Sequence, residues 1–249
     1  MKVESWNRPE YYDFTRSLDI GQWAWEFLRR NPEYQKEWRE FDAAWKTLEA
    51  RYGKPPERDF QRWKADPLAW RRVGEDEPGD CRVDQDKVLI ECWLGARWGF
   101  YKFPLDPATD RPRIGEQLDW RPLEREVPLV EDGDSPYLDG AAEHLAIGFD
   151  LDYPLREQLE RAKRLLQARQ GRLRREGVIQ LKRRSSCREA WRLMLRLLDG
   201  TEAGEDVGAV VALLAQQEGQ SPERLHQLLQ QARALVAGGY RELLRIPDV

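Results

Sequence analysis

The sequence predicts a mainly helical chain with a small β segment, an α+β class. Three observations carry this. Apolar residues recur at helical spacing near both ends, short β-branched and aromatic runs fall between 87 and 152, and Gly and Pro punctuate the periodic runs. The layout that follows is an N-terminal helical module over 1–73, a central β-containing segment over 81–151 and a C-terminal helical domain over 152–249. That last domain contains a helix-turn-helix-like tri-helical unit.

Residues 17–38, SLDIGQWAWEFLRRNPEYQKEW, hold three tryptophans, whose spacing decides between a binding surface and a core. Asp19 with Gln22 makes a capping box, and Leu18 with Trp23 fits a hydrophobic staple. Ile20, Trp23, Ala24, Phe27 and Leu28 then share one helical face. Asn31-Pro32 ends that helix and starts another, since Asn caps and Pro is preorganised for a first turn. In the second helix Tyr34, Trp38, Phe41, Trp45, Leu48 and Tyr52 advance by steps of three and four until Gly53 and Pro55-Pro56 stop it. The tryptophans are therefore mainly core. Trp25 alone falls off the face, where a cation–π contact with Arg29 or a subunit interface is open to it. A further short helix is expected within 59–73, with Asp66-Pro67 as an internal restart.

The polar, acidic stretch GEDEPGD (74–80) reads as a linker. Beyond it KVLIECWL (87–94) and RWGFYKFP (97–104) flank Gly95 and read as a hairpin. EVPLVE (126–131) and HLAIGFDLD (144–152) read as further short strands.

From Asp152 the pattern is helical again. Leu155, Leu159, Ala162 and Leu166 lie on one face, and Gly171 marks a stop. GVIQLKRRSS (177–186) reads as a loop or short strand, after which Ser186 and Glu189 form a second capping box opening a helix over 187–199. Helices over 205–219 and 221–239 follow, the last started by Ser221-Pro222.

The net charge of −4 hides a strong asymmetry. Residues 1–155 carry 23 basic and 33 acidic side chains, 156–196 carry 14 basic and 4 acidic, and 197–249 carry 4 basic and 8 acidic. A single basic island in an acidic chain points to a local polyanion partner, most naturally nucleic acid. Arg172, Arg174, Arg175, Lys182, Arg183, Arg184, Arg188 and Arg192 form that island, as phosphate contacts. In a helix-turn-helix, 187–199 supports, 205–217 is the scaffold and 221–236 is the recognition helix. Arg224, Gln227 and Gln230, with His226, Gln231 and Arg233, then face base edges, Gln suiting adenine and Arg guanine.

Other classes find little support. The sequence shows no phosphate loop, nucleophile elbow or zinc helix, so no catalytic, cofactor-binding or metal-ligating residue is assigned and no cofactor is required. The acidic run 130–144 lacks calcium-loop spacing. Cys81, Cys92 and Cys187 are scattered without metal spacing and read as reduced structural thiols. The first residues lack an apolar signal core and no run has membrane-span length, so a cytoplasmic protein without a membrane partner is expected.

YYDFTRSLDIGQWAWEFLRRNPEYQKEW (11–38) resembles the N-terminal regulator-like module of a two-module proteobacterial transcriptional regulator family. FDLDYPLREQLERAKRLLQARQG (149–171) and the stretch over 195–244 ending in GGYRELL resemble the C-terminal domain paired with it. The family includes RovC-type activators of type VI secretion genes and activators of integrative conjugative elements. The resemblance implies a sequence-specific activator of secretion or mobile-element genes that binds double-stranded promoter DNA as a homo-oligomer, a hexamer in RovC-type proteins. RNA polymerase is left open as a further partner. Many relatives have an arginine-rich last helix, whereas this one reads ERLHQLLQQARALV, which moves weight toward 172–192. The rival class is a protein–protein adaptor or antiactivator that never contacts DNA.

Overall fold

The computed structural model describes residues 6–74, 81–101, 103–121, 145–179 and 184–244, the side chains of 184–187 excepted. The chain forms two compact units, one built from Met1–Leu123 with Arg184–Val249 and the other from Glu124–Arg183. The fold is mainly α with one small sheet.

In the first unit a 3-10 segment, Pro9–Ser17, leads into α1, Ile20–Leu28. The expected capping box closes it: Gln22 N donates to Asp19 Oδ1 at 2.9 Å and Asp19 N to Gln22 Oε1 at 3.0 Å. The helix is apolar nearly all round and sits inside the core, so seven of its nine residues are buried. Trp25 is among them, so this off-stripe residue is part of the core and not a surface open to another subunit. Its ring meets Tyr34 and Phe100 edge-on, and its indole donates to the Thr109 carbonyl at 3.1 Å. Burial of a tryptophan is tolerable where the N–H finds such a partner.

Asn31 opens α2, Pro32–Tyr52, by accepting from the Glu33 and Tyr34 amides, while its own side-chain amide reaches the Val236 carbonyl at 2.8 Å. Gly53 ends the helix at φ 82°, a conformation glycine adopts freely. α3, Phe60–Ala65, is followed by a 3-10 turn that Asp66 caps at the anticipated restart.

Strands β1 (Trp70–Arg72), β2 (Arg82–Asp84) and β3 (Lys87–Leu89) form an antiparallel sheet in the order β1-β3-β2. The expected hairpin across Gly95 is not there. Instead Ile90–Trp98 is helix α4, ending at Gly99 in the left-handed region, φ 91°. Val88 and Ile90 favoured a strand locally, but Ile90, Glu91, Cys92, Leu94, Gly95 and Trp98 are all buried, and a short apolar run buried on every side carries no usable period. Residues 145–150 form no strand either, and 126–131 lie outside the described residues. Cys81 and Cys92 are joined in a disulfide, which corrects their reading as reduced thiols. The pairing follows from the fold rather than the spacing, because β3 leads directly into α4 and lays its first turn beside the start of β2.

α6 (Arg184–Glu202), α7 (Val207–Glu218), α8 (Pro222–Ala234) and α9 (Tyr240–Leu243) complete this unit. α6 begins two residues before Ser186, which therefore lies inside the helix rather than at its cap. Asp206 and Ser221 cap α7 and α8. A wide turn over Leu235–Gly239, with Gly238 at φ 129°, brings α9 back onto α1. Tyr240 is fully buried there and donates to the Trp98 carbonyl at 2.7 Å. One apolar core thus includes Trp23, Trp25 and Tyr34 from the first helices together with Trp191, Leu195, Leu225 and Leu228 from the last.

A buried ion cluster crosses that core. Arg30 Nε lies 2.6 Å from Asp199 Oδ1 and Nη2 lies 2.9 Å from Oδ2, while Nη1 reaches Glu26 Oε2 at 2.7 Å. Tyr12 donates to Asp199 Oδ2 at 2.5 Å. Burial opposes the Arg30 charge, yet Asp199 and Glu26 outweigh it and hold the guanidinium above its ordinary pKa. Burial, then the Asp199 charge, push the Tyr12 phenol upward, so it stays a donor. Arg30→Ala leaves the buried Asp199 without a cation and Glu26 with Arg29 alone, and should lose about 3–5 kcal/mol in urea denaturation, against about 1–2 kcal/mol for Tyr12→Phe.

Candidate nucleic-acid interface

α8 has one buried face and one exposed face. Leu225, Leu228, Leu229 and Ala232 are buried against α6 and α7, which fixes the helix's rotation. Arg224, His226, Gln227, Gln230, Gln231 and Arg233 are all exposed. Arg224, Gln227 and Gln231 follow an i, i+3, i+7 stripe, with Gln230 beside it. Ser221 holds the start of the helix by accepting from the Arg224 amide at 3.2 Å. At the same end, backbone and Ser221 hydrogen bonds keep the Glu223 carboxyl below its usual pKa, so an anion flanks the stripe.

α6 supplies the neighbouring surface. Arg192 and Arg224 line one groove of about 410 Å³, with Glu189, Glu218, Gln220 and Leu228. The groove is mixed in charge, and the two arginines are its cationic members. Arg188 is half-buried and donates to the Arg16 carbonyl at 3.4 Å. Arg196, by contrast, is wholly inside: it donates to the Trp6 carbonyl at 2.9 Å and to Gln217 and Glu218 on α7. Burial lowers its pKa, with Glu218 pulling the other way. It is a strut and not a surface cation.

In the second unit the dominant element is α5, Leu155–Arg175. Arg172, Arg174 and Arg175 are exposed on its last turn, with Arg172 Nε 4.0 Å from Glu176 Oε1. An exposed pair at that distance contributes little, which leaves the guanidinium available to a phosphate. Cations at this end also complement the helix dipole. The helix as a whole carries eight basic and two acidic residues.

The basic island is therefore divided. Arg172, Arg174 and Arg175 belong to one unit, while Arg188, Arg192, Arg224, Gln227 and Gln230 belong to the other. Lys182 and Arg183 lie outside the described residues, as does the Arg184 side chain at the start of α6. Sequence reasoning did not single out Arg161 and Arg164, which are exposed on the middle of α5. Their signal was the density of basic residues along a single helix.

Residues 5–66 match a proteobacterial transcriptional regulator-like domain, and residues 149–245 match a DNA-binding domain of type VI secretion (T6SS) transcription factors. The chain belongs to this two-module regulator family. The family's DNA-binding module contains both surfaces just described, α5 and α8, and both modules are named for transcriptional regulators. No curated protein and no solved structure matches the chain. Among the described residues no helix is long and apolar enough to cross a membrane, and no cluster of side chains could hold a metal ion.

The division of α8 has a direct check in thermal denaturation. Arg224→Ala, Gln227→Ala and Gln230→Ala should each leave stability within about 0.5 kcal/mol, whereas Leu228→Ala should lose about 2–5 kcal/mol.

Proposed function

We propose that this two-module regulator is a sequence-specific DNA-binding protein that acts as an oligomeric activator of secretion or mobile-element genes. The observation that supports it is the exposed Arg224–Gln227–Gln231 stripe on a helix whose other side is seated in the core. α6, α7 and α8 pack on one another, and α7 and α8 are separated by residues 219–221, with Gly219 at φ 63°. A short turn with glycine between two helices is what a helix-turn-helix requires. In this reading α8 enters the major groove, where Gln pairs with adenine and Arg with guanine.

Residues 197–249 carry 4 basic and 8 acidic side chains, so α8 needs cations from elsewhere to approach DNA. Arg172, Arg174, Arg175, Lys182, Arg183, Arg184, Arg188 and Arg192 provide them by neutralising phosphates, and phosphate contacts set register without reading sequence. Oligomerisation then multiplies individually weak contacts through effective concentration. Activation would follow from a contact with RNA polymerase made by the DNA-bound oligomer.

Binding to the promoter region beside its own gene, titrated across a salt series, tests this. The slope of log K against log salt should be about −0.9 per phosphate neutralised, and Arg183→Glu with Arg184→Glu should flatten it by about two such units. Gln227→Ala should instead leave the slope unchanged and relax discrimination by about 1–3 kcal/mol at one base pair. An unchanged slope in the charge-reversed protein moves the phosphate contact elsewhere. Absence of binding at low salt overturns the reading in favour of an adaptor or antiactivator that acts through protein contacts.

A further inference from the structure

α5 carries a feature that DNA contact does not use. Leu155, Leu159, Ala162, Leu166, Arg169 and Leu173 advance by steps of four and three, the spacing of a coiled-coil seam. Ala162 and Leu173 are buried, but the other apolar members are exposed: Leu155 is 47% exposed, Leu159 55%, Leu166 45%, and Leu165 beside the seam 53%. Arg169 sits in the same seam with its Nε buried and without a hydrogen-bond partner. The turn leading into the helix carries two exposed carboxylates, Asp150 and Asp152.

We propose that α5 pairs antiparallel with α5 of a second copy of this chain through Leu155, Leu159, Ala162 and Leu166. The inference rests on the DNA-binding reading only for its consequence, not for the contact itself. The occupant is argued from self-complementarity. In the register that sets Leu159 against the partner's Ala162, Leu155 meets the partner's Leu166. The same register brings Arg169 level with the partner's Asp150–Asp152 turn, placing a guanidinium opposite carboxylates. A parallel pair would place Arg169 against its own copy, like charge on like charge. The antiparallel contact is isologous and closes as a dimer, with Leu165 covered at its edge.

The pairing has a geometric consequence. Its two-fold axis passes between residues 160 and 161, so each Arg172–Arg175 cluster lies about 20 Å from it along the helix. The two clusters are then roughly 35–40 Å apart, close to one turn of B-DNA and so suited to adjacent half-sites on one face of the duplex. One flank of the seam sets Arg156 near the partner's Lys163, two like charges. Lys163→Glu should therefore tighten the dimer at low salt.

Sedimentation equilibrium of the full chain without DNA is the test. At about 100 µM any dimer with a Kd of ~1 µM is assembled, and wild type should sediment as dimer or a multiple of it. Leu159→Asp with Leu166→Asp should weaken association about tenfold or more, because each places an unpaired charge in an apolar contact. Both positions are exposed, so the variant should keep the wild-type melting temperature, which separates lost pairing from lost folding. With Cys187→Ser as background, Leu155→Cys mixed with Leu166→Cys should cross-link on oxidation, whereas Leu166→Cys alone should not. A monomeric wild type overturns the proposal, as does cross-linking of Leu166→Cys alone, or a double-aspartate variant that associates like wild type. A dimer that binds no DNA leaves the pairing intact and removes the functional reading, and DNA binding by a monomeric chain does the reverse.

Discussion

Arg30 is the point at which three distant stretches of the chain meet. Its guanidinium binds both oxygens of Asp199 on α6, reaches back one turn to Glu26 on α1, and shares Asp199 with Tyr12 from the 3-10 segment. A buried charge survives only where its partners are placed to compensate its desolvation, and the bidentate geometry of an arginine–carboxylate pair supplies direction as well as energy. The pair therefore fixes the end of α1 against α6. Because α8 packs on α6, this contact also sets the direction in which Arg224, Gln227 and Gln231 project. Arg196 acts similarly one turn earlier on α6, joining Trp6 to Gln217 and Glu218 of α7. The regulator-like helices and the last DNA-binding helices are in this sense one mechanical body.

What was legible in the sequence was the chemistry that acts over a few residues. Asp19, Asn31 and Ser221 cap helices, and Gly53 and Gly219 end them, because capping needs only a side-chain oxygen or a left-handed residue at a set offset. The misreadings share a different cause. Trp25 lies off the apolar stripe of α1, but that helix is surrounded, so the stripe does not bound what is buried. KVLIECWL has β-branched residues and no readable period for the same reason. The pairing of Cys81 with Cys92 depends on where β3 delivers the chain, which spacing does not encode. The exposed face of α8 was legible from its leucine period. The separation of the basic island between two units was not, since a run of arginines records charge and not the boundary that crosses it.

The two surfaces suit different parts of recognition. α8 has few charges and several amides, the composition of a reader of base edges. α5 is dense in arginine and carries an uncovered leucine seam, the composition of a helix that binds phosphate along one part and another helix along the rest. Affinity supplied by α5 and discrimination supplied by α8 would reconcile an acidic chain with a polyanionic ligand. It would also leave α8 needing little charge of its own.

The central claim is that DNA is met by α8 and by the basic end of α5. Photo-cross-linking of the full chain to a bromodeoxyuridine-substituted promoter duplex, with the attached peptides mapped by mass spectrometry, tests it most directly. Adducts confined to the α8 peptide Pro222–Ala234 and the peptides spanning residues 169–192 are the predicted result. Adducts confined to α1 and α2 would contradict it.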